Sequence, residues 1–599
     1  MSLPKQTLLQ SLGAGLATAN LDHHGLVAAI CKDLKIAQRI DKRLLPTPTR
    51  KVSPGQAVVA MILNGLGYTN RTLYLSHHFF SSKPIERLID PSLQAEDITN
   101  YTLAHALDDI ASYGSSKLFM EVAMEIAIEH NLLGLTNHVD TTSFSLEGSY
   151  AHQEQQQIVQ GQQEEKHEEQ EEPKEQADKG QQQDQAGEQD TESVQVISIT
   201  RGYSKDHRPD LKQIVLSLVV NGPSSIPIYM EPLSGNSSDK TTLHQAISAV
   251  EQFKEQIDLD ASFKWVADSA LYTRDKLLKD NSYTWLTRVP ETIKAARELL
   301  EKEERSIPWQ AQEKGYKTSS YTSSYGGIQQ RWMLVYSTQS YDREKERLES
   351  KLKKDKKALE QQLWHLSNQV FGCVQDGEKA VKELIKKQEL LQINYQIEPV
   401  KGYLGRGKPK QGQALAIKGY QLKASVVEQE EAIRKVLNRK GRFILATNDL
   451  NEEGYPDQAM LEEYKEQQEV EGGFRFLKDP FFMVDKIYLK LPSRIAGLMM
   501  VMNLTLLVYN VGQYKVREEL AKRGEKLPNQ LGKEIDNPTL RWIFQLLEGI
   551  GIIYLRESLP GRFPQSYVSN ITAIRGRIIS LLGSEAEKIY GLAGEKKVA

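Results

Sequence analysis

Leu135-Thr-Asn-His-Val-Asp-Thr-Thr-Ser-Phe-Ser-Leu146 predicts a β-strand, because it is rich in β-branched residues and partly alternates apolar with polar positions. Four further segments of strand character follow it: 194–200, 213–221 with 226–231 as its extension, 263–269 and 283–289. Two helices are expected between the last three strands, at 239–257 and 273–280. Three strands in series, followed by helix, strand, helix and strand, indicate an α/β fold with a mixed sheet flanked by helices.

A run rich in Gln and Glu separates the first two strands. Residues 152–193 carry fourteen Gln, thirteen acidic side chains and three Lys, a net charge of −10 in a chain whose total is −3, so the remaining residues carry +7. We expect a disordered loop here, because the run has too little apolar surface to order itself. The mildly basic remainder permits a nucleic-acid partner without requiring one.

Residues 1–130 are predicted to form a helical N-terminal domain. Leu21–Ile40 is periodic in apolar residues, and Ser53 followed by Pro54 is a typical helix start. Two more helices are expected, at 102–113 and 115–130. Six basic residues are concentrated here: Arg39, Lys42, Arg43, Arg50, Lys51 and Arg71. They are compatible with a small DNA-binding module and, equally, with a helical scaffold that has a basic surface.

Residues 131–289 hold the first part of the predicted core, and residues 290–441 are predicted to be an α+β insertion. The insertion contains a charged helical pair at 341–391, in which leucines keep a heptad-like spacing. We expect the pair to form an intramolecular hairpin rather than an intermolecular coiled coil. A helix at 291–304 and β segments at 328–337, 392–397 and 420–427 complete the insertion.

Arg442–Thr447 is predicted to return to the main sheet. It would begin the second part of the core, residues 442–515, and residues 516–599 are expected to form a helical C-terminal region. Ile495–Val511 is the longest apolar run and lies at the lower length limit for a membrane span; we expect it to be a buried helix.

Two cysteines, Cys31 and Cys373, are too few for a disulfide framework, which fits a reducing cytosol. The N-terminus lacks the charged start and apolar core of a signal peptide. We therefore expect a cytoplasmic protein without a membrane partner.

Three acidic residues occupy positions that suit a metal site. Asp140 lies inside an apolar strand, where an unpaired carboxylate is costly, and Asp268 ends the strand at 263–269. Glu471 is the only acid on a helical face predicted within 464–478. Taken singly, each aspartate more often caps a turn and the helical face is more often solvated. Together they would hold two hard divalent ions about 3.5–4 Å apart, as phosphoryl transfer requires.

Other kinds of site are disfavoured. His138 shares a strand face with Asp140, and we expect a hydrogen-bonded core histidine rather than a ligand. The chain has no Cys/His cluster with zinc spacing, no glycine-rich phosphate loop before a helix, and no Gly-x-Ser-x-Gly sequence. These observations argue against zinc-finger, nucleotide-hydrolase and esterase functions.

Five motifs follow one another in the chain: His138-Val-Asp-Thr-Thr-Ser-Phe-Ser145, Gly202-Tyr-Ser-Lys-Asp-His-Arg-Pro-Asp-Leu-Lys212, Gly235-Asn-Ser-Ser-Asp239, Trp265-Val-Ala-Asp-Ser-Ala-Leu-Tyr272 and Tyr464…Glu471…Lys478. In this order they resemble the DDE transposases of bacterial insertion sequences. The chain is most similar to the group whose RNase H-like core is interrupted before the catalytic Glu and whose helix carries Tyr-x2-Arg-x3-Glu-x6-Lys. The resemblance covers about residues 135–510, and the N-terminal region also resembles that of one such lineage.

The resemblance implies an RNase H-like core and a catalytic triad that also binds the metal: Asp140, Asp268 and Glu471. It implies two Mg²⁺ or Mn²⁺ ions as cofactor, double-stranded DNA (transposon ends and target) as partner, a homodimer on DNA, and a nucleoid-associated location in the cytoplasm.

The resemblance also implies DNA contacts by the helix that carries Glu471, and Arg288 is predicted to add another. The predicted DNA-binding residues are Tyr464, Gln467, Arg475, Lys478 and Arg288. Gln467 stands where the family has Arg, which removes one bidentate phosphate clamp. Arg475, two turns on, is the candidate to replace it.

We therefore expect a transposase that cleaves insertion-sequence ends and joins them to target DNA by two-metal phosphoryl transfer. Two alternatives remain: an RNase H-fold nuclease without strand transfer, and a non-catalytic DNA-binding derivative of a transposase.

Overall fold

The computed structural model describes residues 16–67, 76–147, 197–273, 283–386, 388–403, 414–479, 489–555 and 565–592. The Gln/Glu-rich run at 152–193, almost all of the helix expected at 273–280, and Arg71 lie outside these residues. The described chain is a mixed α/β protein with many helices. It divides into two compact units, the first made of Met1–Leu271 and Lys465–Ala599 and the second of Tyr272–Tyr464.

The first part of the first unit contains five described strands: β1 (Leu16–Asn20), β2 (Thr136–Leu146), β3 (Lys212–Asn221), β4 (Ile226–Ser234) and β5 (Lys264–Ala267). Its described helices are α1 (His24–Asp33), α2 (Ile36–Leu44), α3 (Pro54–Gly65), α4 (Ser76–Phe80), α5 (Ile85–Leu88), α6 (Asn100–Tyr113), α7 (Ser115–Glu129) and α8 (Asp239–Gln256).

The second unit follows in the chain. Its described strands are β6 (Thr284–Arg288), β7 (Gln310–Ala311), β8 (Tyr316–Ser323), β9 (Gln330–Ser337), β10 (Val370–Phe371), β11 (Leu391–Gly402), β12 (Ala416–Glu428) and β13 (Arg442–Thr447). Its described helices are α9 (Lys294–Leu300), α10 (Thr338–Ser367), α11 (Val374–Ile385), α12 (Glu430–Arg439) and α13 (Asp457–Lys465), the last of which ends at the boundary.

The chain then returns to the first unit. The described helices there are α14 (Gln468–Leu477), α15 (Pro492–Arg523), α16 (Leu540–Leu546), α17 (Ala573–Leu581) and α18 (Ser584–Ile589). The described strands are β14 (Leu527–Pro528), β15 (Glu534–Ile535), β16 (Gly551–Leu555) and β17 (Gln565–Ser569).

A mixed sheet in the order β4-β3-β2-β5 forms the centre of the first unit. β2, β3 and β4 pair antiparallel, whereas β5 lies parallel to β2. β3 is buried at almost every position, so both of its faces are covered. On one face of β2 the Thr141 hydroxyl donates to Asp239 of α8, and on the other face His138 contacts Gln467 beside α14. Helices therefore flank this sheet on both sides. The strand expected at 194–200 is wrong for its described part, where Thr200 forms only an isolated bridge with Gln213, and β4, expected as an extension of the preceding strand, is a separate strand.

The N-terminal region is largely helical, with two departures from expectation. Leu21–Ile40 is not one helix, because Lys35 adopts a left-handed conformation (φ +51°) that separates α1 from α2. Residues 16–20 moreover form the strand β1, which pairs with β16. The two strands are more than 500 residues apart in the chain, so the local sequence does not indicate this pairing. The expected helix start is confirmed: Ser53 caps α3 in a capping box with Gln56, and Pro54 is the first helical residue.

Four of the six basic residues of this region pair with carboxylates. Arg39, almost fully buried, and Arg43 lie between α2 and α7, where they bind Glu121, Glu125 and Glu129. The other two pairs are Arg50–Asp109 and Lys51–Asp97. These charges connect helices to one another, which favours the helical scaffold over a DNA-binding module.

The C-terminal region departs from the expected all-helical structure. It contains the strands β14 to β17 beside the short helices α16 to α18. The reason is non-local pairing, since β16 is held between β1 and β17.

Within the second unit, one sheet has the order β6-β13-β9-β8-β7, and β13 has the predicted bounds. A smaller sheet, β10-β12-β11, carries α10 and α11. The leucine seam of α10 is buried against residues of α11, β11 and β12, so it packs inside the chain: Leu348, Leu352, Leu359 and Leu363 meet Val381, Leu391, Ile393 and Leu422.

Two further helices are expected, at 495–511 and at 464–478. α15 is long and apolar enough to cross a membrane by length and composition, and 83% of its apolar window is buried inside the protein. The predicted buried helix at Ile495–Val511 is thus confirmed. The single helix predicted at 464–478 is wrong, because the chain turns at Glu466 and Gln467 between α13 and α14. The Gln467 side chain is bonded to β2 at this turn, which fixes where α14 begins.

Two neighbouring glycines show how closely α14 is packed. A Cβ on Gly473 would lie 3.2 Å from Leu506 Cδ2 of α15 and 3.4 Å from Leu218 Cδ2 of β3, whereas a Cβ on Gly472 would meet no atom within 4 Å. We expect Gly472→Ala to stabilise α14 by about 0.5–1 kcal/mol through helix propensity. Gly473→Ala should lose that gain to crowding. Hydrogen–deuterium exchange of the 468–477 peptide measures both, and equal protection in the two variants would contradict the packing.

Candidate active site

Asp140 and Asp268 lie side by side because β2 and β5 pair in parallel. Val139 is the register partner of Ala267, and each aspartate is the next residue in its strand direction. β5 ends at Ala267, and the Asp268 carboxylate accepts a hydrogen bond from the Ala270 amide at 2.8 Å in the turn that follows. The structure therefore brings together two of the three acids that the sequence singles out.

The Asp140 carboxylate is largely withdrawn from water. Burial raises its pKa to about 6, and the nearby Asp268 and Asp239 charges act in the same direction. The Lys205 ammonium and the Thr141 amide, which donates to Asp140 Oδ1 at 2.7 Å, oppose the rise. A raised pKa at an acid placed beside a second acid is typical of functional sites.

α14 is attached to the face of β2 that carries Asp140. Gln467 Nε2 donates to the Val139 carbonyl at 3.1 Å, and Gln467 Oε1 lies 3.2 Å from His138 Nδ1. At the other end, Lys478 Nζ lies 5.4 Å from the centre of the Phe144 ring. His138, Asp140 and Phe144 point to one side of the strand because side chains alternate. His138 is thus a buried, hydrogen-bonded histidine, as expected.

Glu471 lies on α14 between Gln467, which is attached beside Val139, and Lys478, which lies near Phe144. From Gln467 to Lys478 the helix rises about 16 Å, the same distance that β2 covers from Val139 to Phe144. Glu471 is four residues along, or about 6 Å, which corresponds to about two strand residues beyond Val139. Its side chain is exposed, on the same face as exposed Arg475. In the part of the chain that the structure describes, no group of three or more His, Cys, Asp or Glu is close enough to hold a metal ion.

The turn-rich segment 201–211 connects the two ends of the site. Lys478 Nζ pairs with Asp206 Oδ1 at 2.6 Å, and the preceding residue, Lys205, reaches the Asp140 side. Lys205 Nζ donates to the Thr141 carbonyl at 2.7 Å and lies 3.8 Å from Asp140 Oδ1. Gly202 allows the segment to lie against the sheet, since a Cβ there would be 2.0 Å from the Gly235 carbonyl.

Asp239 is a third aspartate near Asp140. It is the first residue of α8, where its carboxylate accepts from the Thr141 hydroxyl at 2.6 Å and lies 3.2 Å from Lys205 Nζ. The sequence predicts Asp239 only as a residue at the start of a helix, and it predicts no role for Lys205. Lys205 and Asp239 each lie in or beside a polar, turn-rich segment, which is a weak signal for a functional residue. They are far apart in the chain, so no local pattern indicates that they meet.

The remaining predicted residues belong to the second unit. Arg288, at the end of β6, holds its guanidinium 5.5 Å from the centre of the Phe443 ring and pairs with Glu291 at 3.7 Å. The Tyr464 ring is 6.1 Å from the same phenylalanine ring. These two residues therefore form one aromatic and cationic cluster, and Gln467, Glu471, Arg475 and Lys478 form a separate group along α14.

The chemistry of the Asp140–Asp268 pair fits a hard divalent cation. Both donors are carboxylate oxygens, which Mg²⁺ and Mn²⁺ prefer, and the pair lies at the end of a strand beside a helix that carries a further carboxylate. These residues would hold such an ion, with Glu471 as the candidate additional ligand.

The raised pKa of Asp140 predicts a pH-dependent stability. Because the folded-state pKa of about 6 exceeds the ordinary 3.8, folding favours the protonated form. This contribution is complete below about pH 4 and is lost as the pH rises through 6, at a cost on the order of 3 kcal/mol. Asp140→Asn should raise the melting temperature at pH 8 in the presence of chelator and have little effect at pH 4.

Asp210→Asn is the matched control for this measurement. Asp210 is exposed, and its hydrogen bond to Arg208 lowers its pKa, so its replacement should bring no gain at pH 8. A similar gain in both variants would show that the effect comes from net charge rather than from burial of Asp140.

Comparisons with known proteins match part of the chain. A family model described as a domain of unknown function (DUF4277) matches residues 16–124. None of the curated proteins compared with the chain matches it. Among solved structures, the chain is similar to the piggyBac transposase in a cryo-EM structure of its synaptic complex with hairpin DNA, at 9% identity and a TM-score of 0.35, over 87% of this chain and 79% of that chain. A TM-score this low does not establish a shared fold.

Proposed function

We propose that this protein is a DNA transposase of the DDE type, which cleaves the ends of an insertion sequence and joins them to target DNA. Asp140, Asp268 and Glu471 are the proposed catalytic residues, and Mg²⁺ or Mn²⁺ is the proposed cofactor. Two such ions, when bound, would activate the attacking oxygen and stabilise the leaving oxygen of a phosphate.

The observation that carries the proposal is the adjacency of Asp140 and Asp268 at the end of β5. Two carboxylates on neighbouring parallel strands are costly to hold together without a cation, so the arrangement suits a site that binds one. Three antiparallel strands in series, followed by α8 and by a strand parallel to the first, also support the RNase H-like core that the resemblance implies.

α14 supports the assignment of Glu471. Its attachment through Gln467 holds the start of the helix on the face of β2 that carries Asp140, and Glu471 is one turn further along the helix. Arg475 is exposed on the same side as Glu471, where it can contact a DNA phosphate without breaking a contact in the core.

The other proposed DNA contacts differ in how available their side chains are. Both amide atoms of Gln467 are used to hold α14, which makes it a positioning residue in this proposal. Lys478 is shared with Asp206, so a phosphate would replace that carboxylate as its partner. Arg288 and Tyr464 would supply contacts from the second unit, and action on two ends is the basis for proposing a homodimer on DNA.

A non-catalytic DNA-binding protein is the second candidate. It is favoured by two observations: Glu471 is exposed, and the described residues contain no cluster of three ligands. In that case Asp140 and Asp268 would remain without a role in bond cleavage.

Cleavage of DNA tests the proposal directly. The substrate is a duplex made from the DNA on either side of the coding region, where a transposase gene predicts inverted repeats, incubated with Mg²⁺ or Mn²⁺. We expect Asp140→Asn, Asp268→Asn and Glu471→Gln each to reduce strand cleavage by at least about a thousandfold while end binding in a mobility-shift assay is retained, because each removes a proposed metal ligand.

Glu469→Gln is the control on the same helix. Glu469 is half-buried with a raised pKa caused mainly by burial, and it lies on a different side of α14 from Glu471, so its amide should preserve cleavage. Full activity of Glu471→Gln would refute the triad. Cleavage without joining of a pre-cut end to a plasmid would indicate a nuclease, and specific binding without any cleavage would indicate the non-catalytic protein.

A further inference from the structure

We propose that Lys205 is a built-in cation that competes with divalent metal ions for the Asp140 carboxylate and so weakens metal binding by the free protein. The inference rests on the proposed function, because it takes Asp140 as a metal ligand. It assigns a role to a residue that the DDE triad does not include.

The hydrogen bonds of Lys205 are already occupied. An ammonium group has three donors, and three acceptors surround Lys205 Nζ: the Thr141 carbonyl at 2.7 Å, the Thr141 hydroxyl at 2.8 Å and Asp239 Oδ2 at 3.2 Å. Asp140 Oδ1, at 3.8 Å, is beyond hydrogen-bond distance. The positive charge therefore acts on Asp140 through space, and Lys205 takes no lone pair of a carboxylate whose Oδ1 already accepts from the Thr141 amide.

The position of this charge is fixed by a closed set of contacts. The Thr141 hydroxyl donates to Asp239 Oδ1 at 2.6 Å, and both groups hold the ammonium. The backbone of Lys205 is held as well, since its amide donates to the Ser143 hydroxyl at 2.9 Å. Thr141 and Ser143 lie in β2 and Asp239 begins α8, so two elements hold this residue, whose side chain is 30% exposed.

A divalent ion on Asp140 would lie close to this ammonium. Lys205 Nζ lies 3.8 Å from Asp140 Oδ1, so the ammonium would repel a divalent ion held by that carboxylate, and a partly buried site screens this repulsion less than water does. Asp239, whose Oδ2 lies 3.2 Å from Lys205 Nζ, compensates part of the lysine charge. Removing the charge of Lys205 should therefore strengthen metal binding, whereas the loss of a merely structural side chain would weaken it or leave it unchanged.

Binding of Mn²⁺ to the full-length protein tests the inference without DNA and without an activity assay. The dissociation constant is measured at pH 8 by the electron paramagnetic resonance signal of free Mn²⁺, for the wild type and for Lys205→Gln, Lys205→Arg, Asp140→Asn and Lys117→Gln. We expect Lys205→Gln to bind about tenfold more tightly than the wild type. Lys205→Arg should stay within about twofold because it keeps the charge.

Lys117→Gln is the control for net charge, since Lys117 is an exposed lysine of the same unit, held over the Tyr113 ring, and its removal should leave the constant unchanged. Unchanged or weaker Mn²⁺ binding by Lys205→Gln, while Asp140→Asn still abolishes binding, would overturn the role of Lys205 and leave the metal site standing. Absence of any Asp140-dependent binding in all variants would overturn the metal site and the inference together. If Lys205→Gln lacks the thermal transition of the wild type, Lys205→Met takes its place, with the same outcomes.

Discussion

The parallel backbone pairing of β2 with β5 is the contact on which the proposed site depends. β2 is otherwise part of an antiparallel series with β3 and β4, so its other edge is free to accept a strand that arrives after α8. Because Val139 pairs with Ala267, the two following aspartates are brought to the same level at the point where β5 ends. A shift of one residue in this register would turn one aspartate to the opposite face of the sheet and separate the pair.

The side chains that surround the pair come from segments that the sheet holds in place. Gln467 fastens the start of α14 to β2, and Lys478 fastens its end near Phe144 and Asp206. The segment 201–211 supplies Lys205, and α8 supplies Asp239, which pairs with it. One strand thus organises a positive and several negative charges within a small volume, which is a costly arrangement for stability and a useful one for binding ions and polyanions.

Basic residues have different roles in different parts of the protein. In the N-terminal region, Arg39, Arg43, Arg50 and Lys51 are engaged by carboxylates of neighbouring helices and serve mainly to hold these helices together. Along α14, by contrast, Arg475 is exposed beside Glu471. Net charge alone does not distinguish the two situations, since the same residue type is present in both. The distinction arises from which acidic side chains the fold brings within reach.

Local patterns in the sequence determined much of the secondary structure. The alternation and the β-branched residues of 135–146 specify β2, and Ser53 with Pro54 specifies the start of α3. Asp140 is exceptional because it is an acid inside an apolar strand. Each of these signals depends only on residues a few positions apart. Only the tertiary structure decided what depends on distant residues. The register of β2 and β5 brings Asp140 beside Asp268, and the hydrogen bond from Gln467 to Val139 sets the break between α13 and α14. The pairing of β1 with β16 and the approach of Lys205 to Asp140 are further examples. All of these contacts join residues that are far apart in the chain, and no local periodicity encodes them.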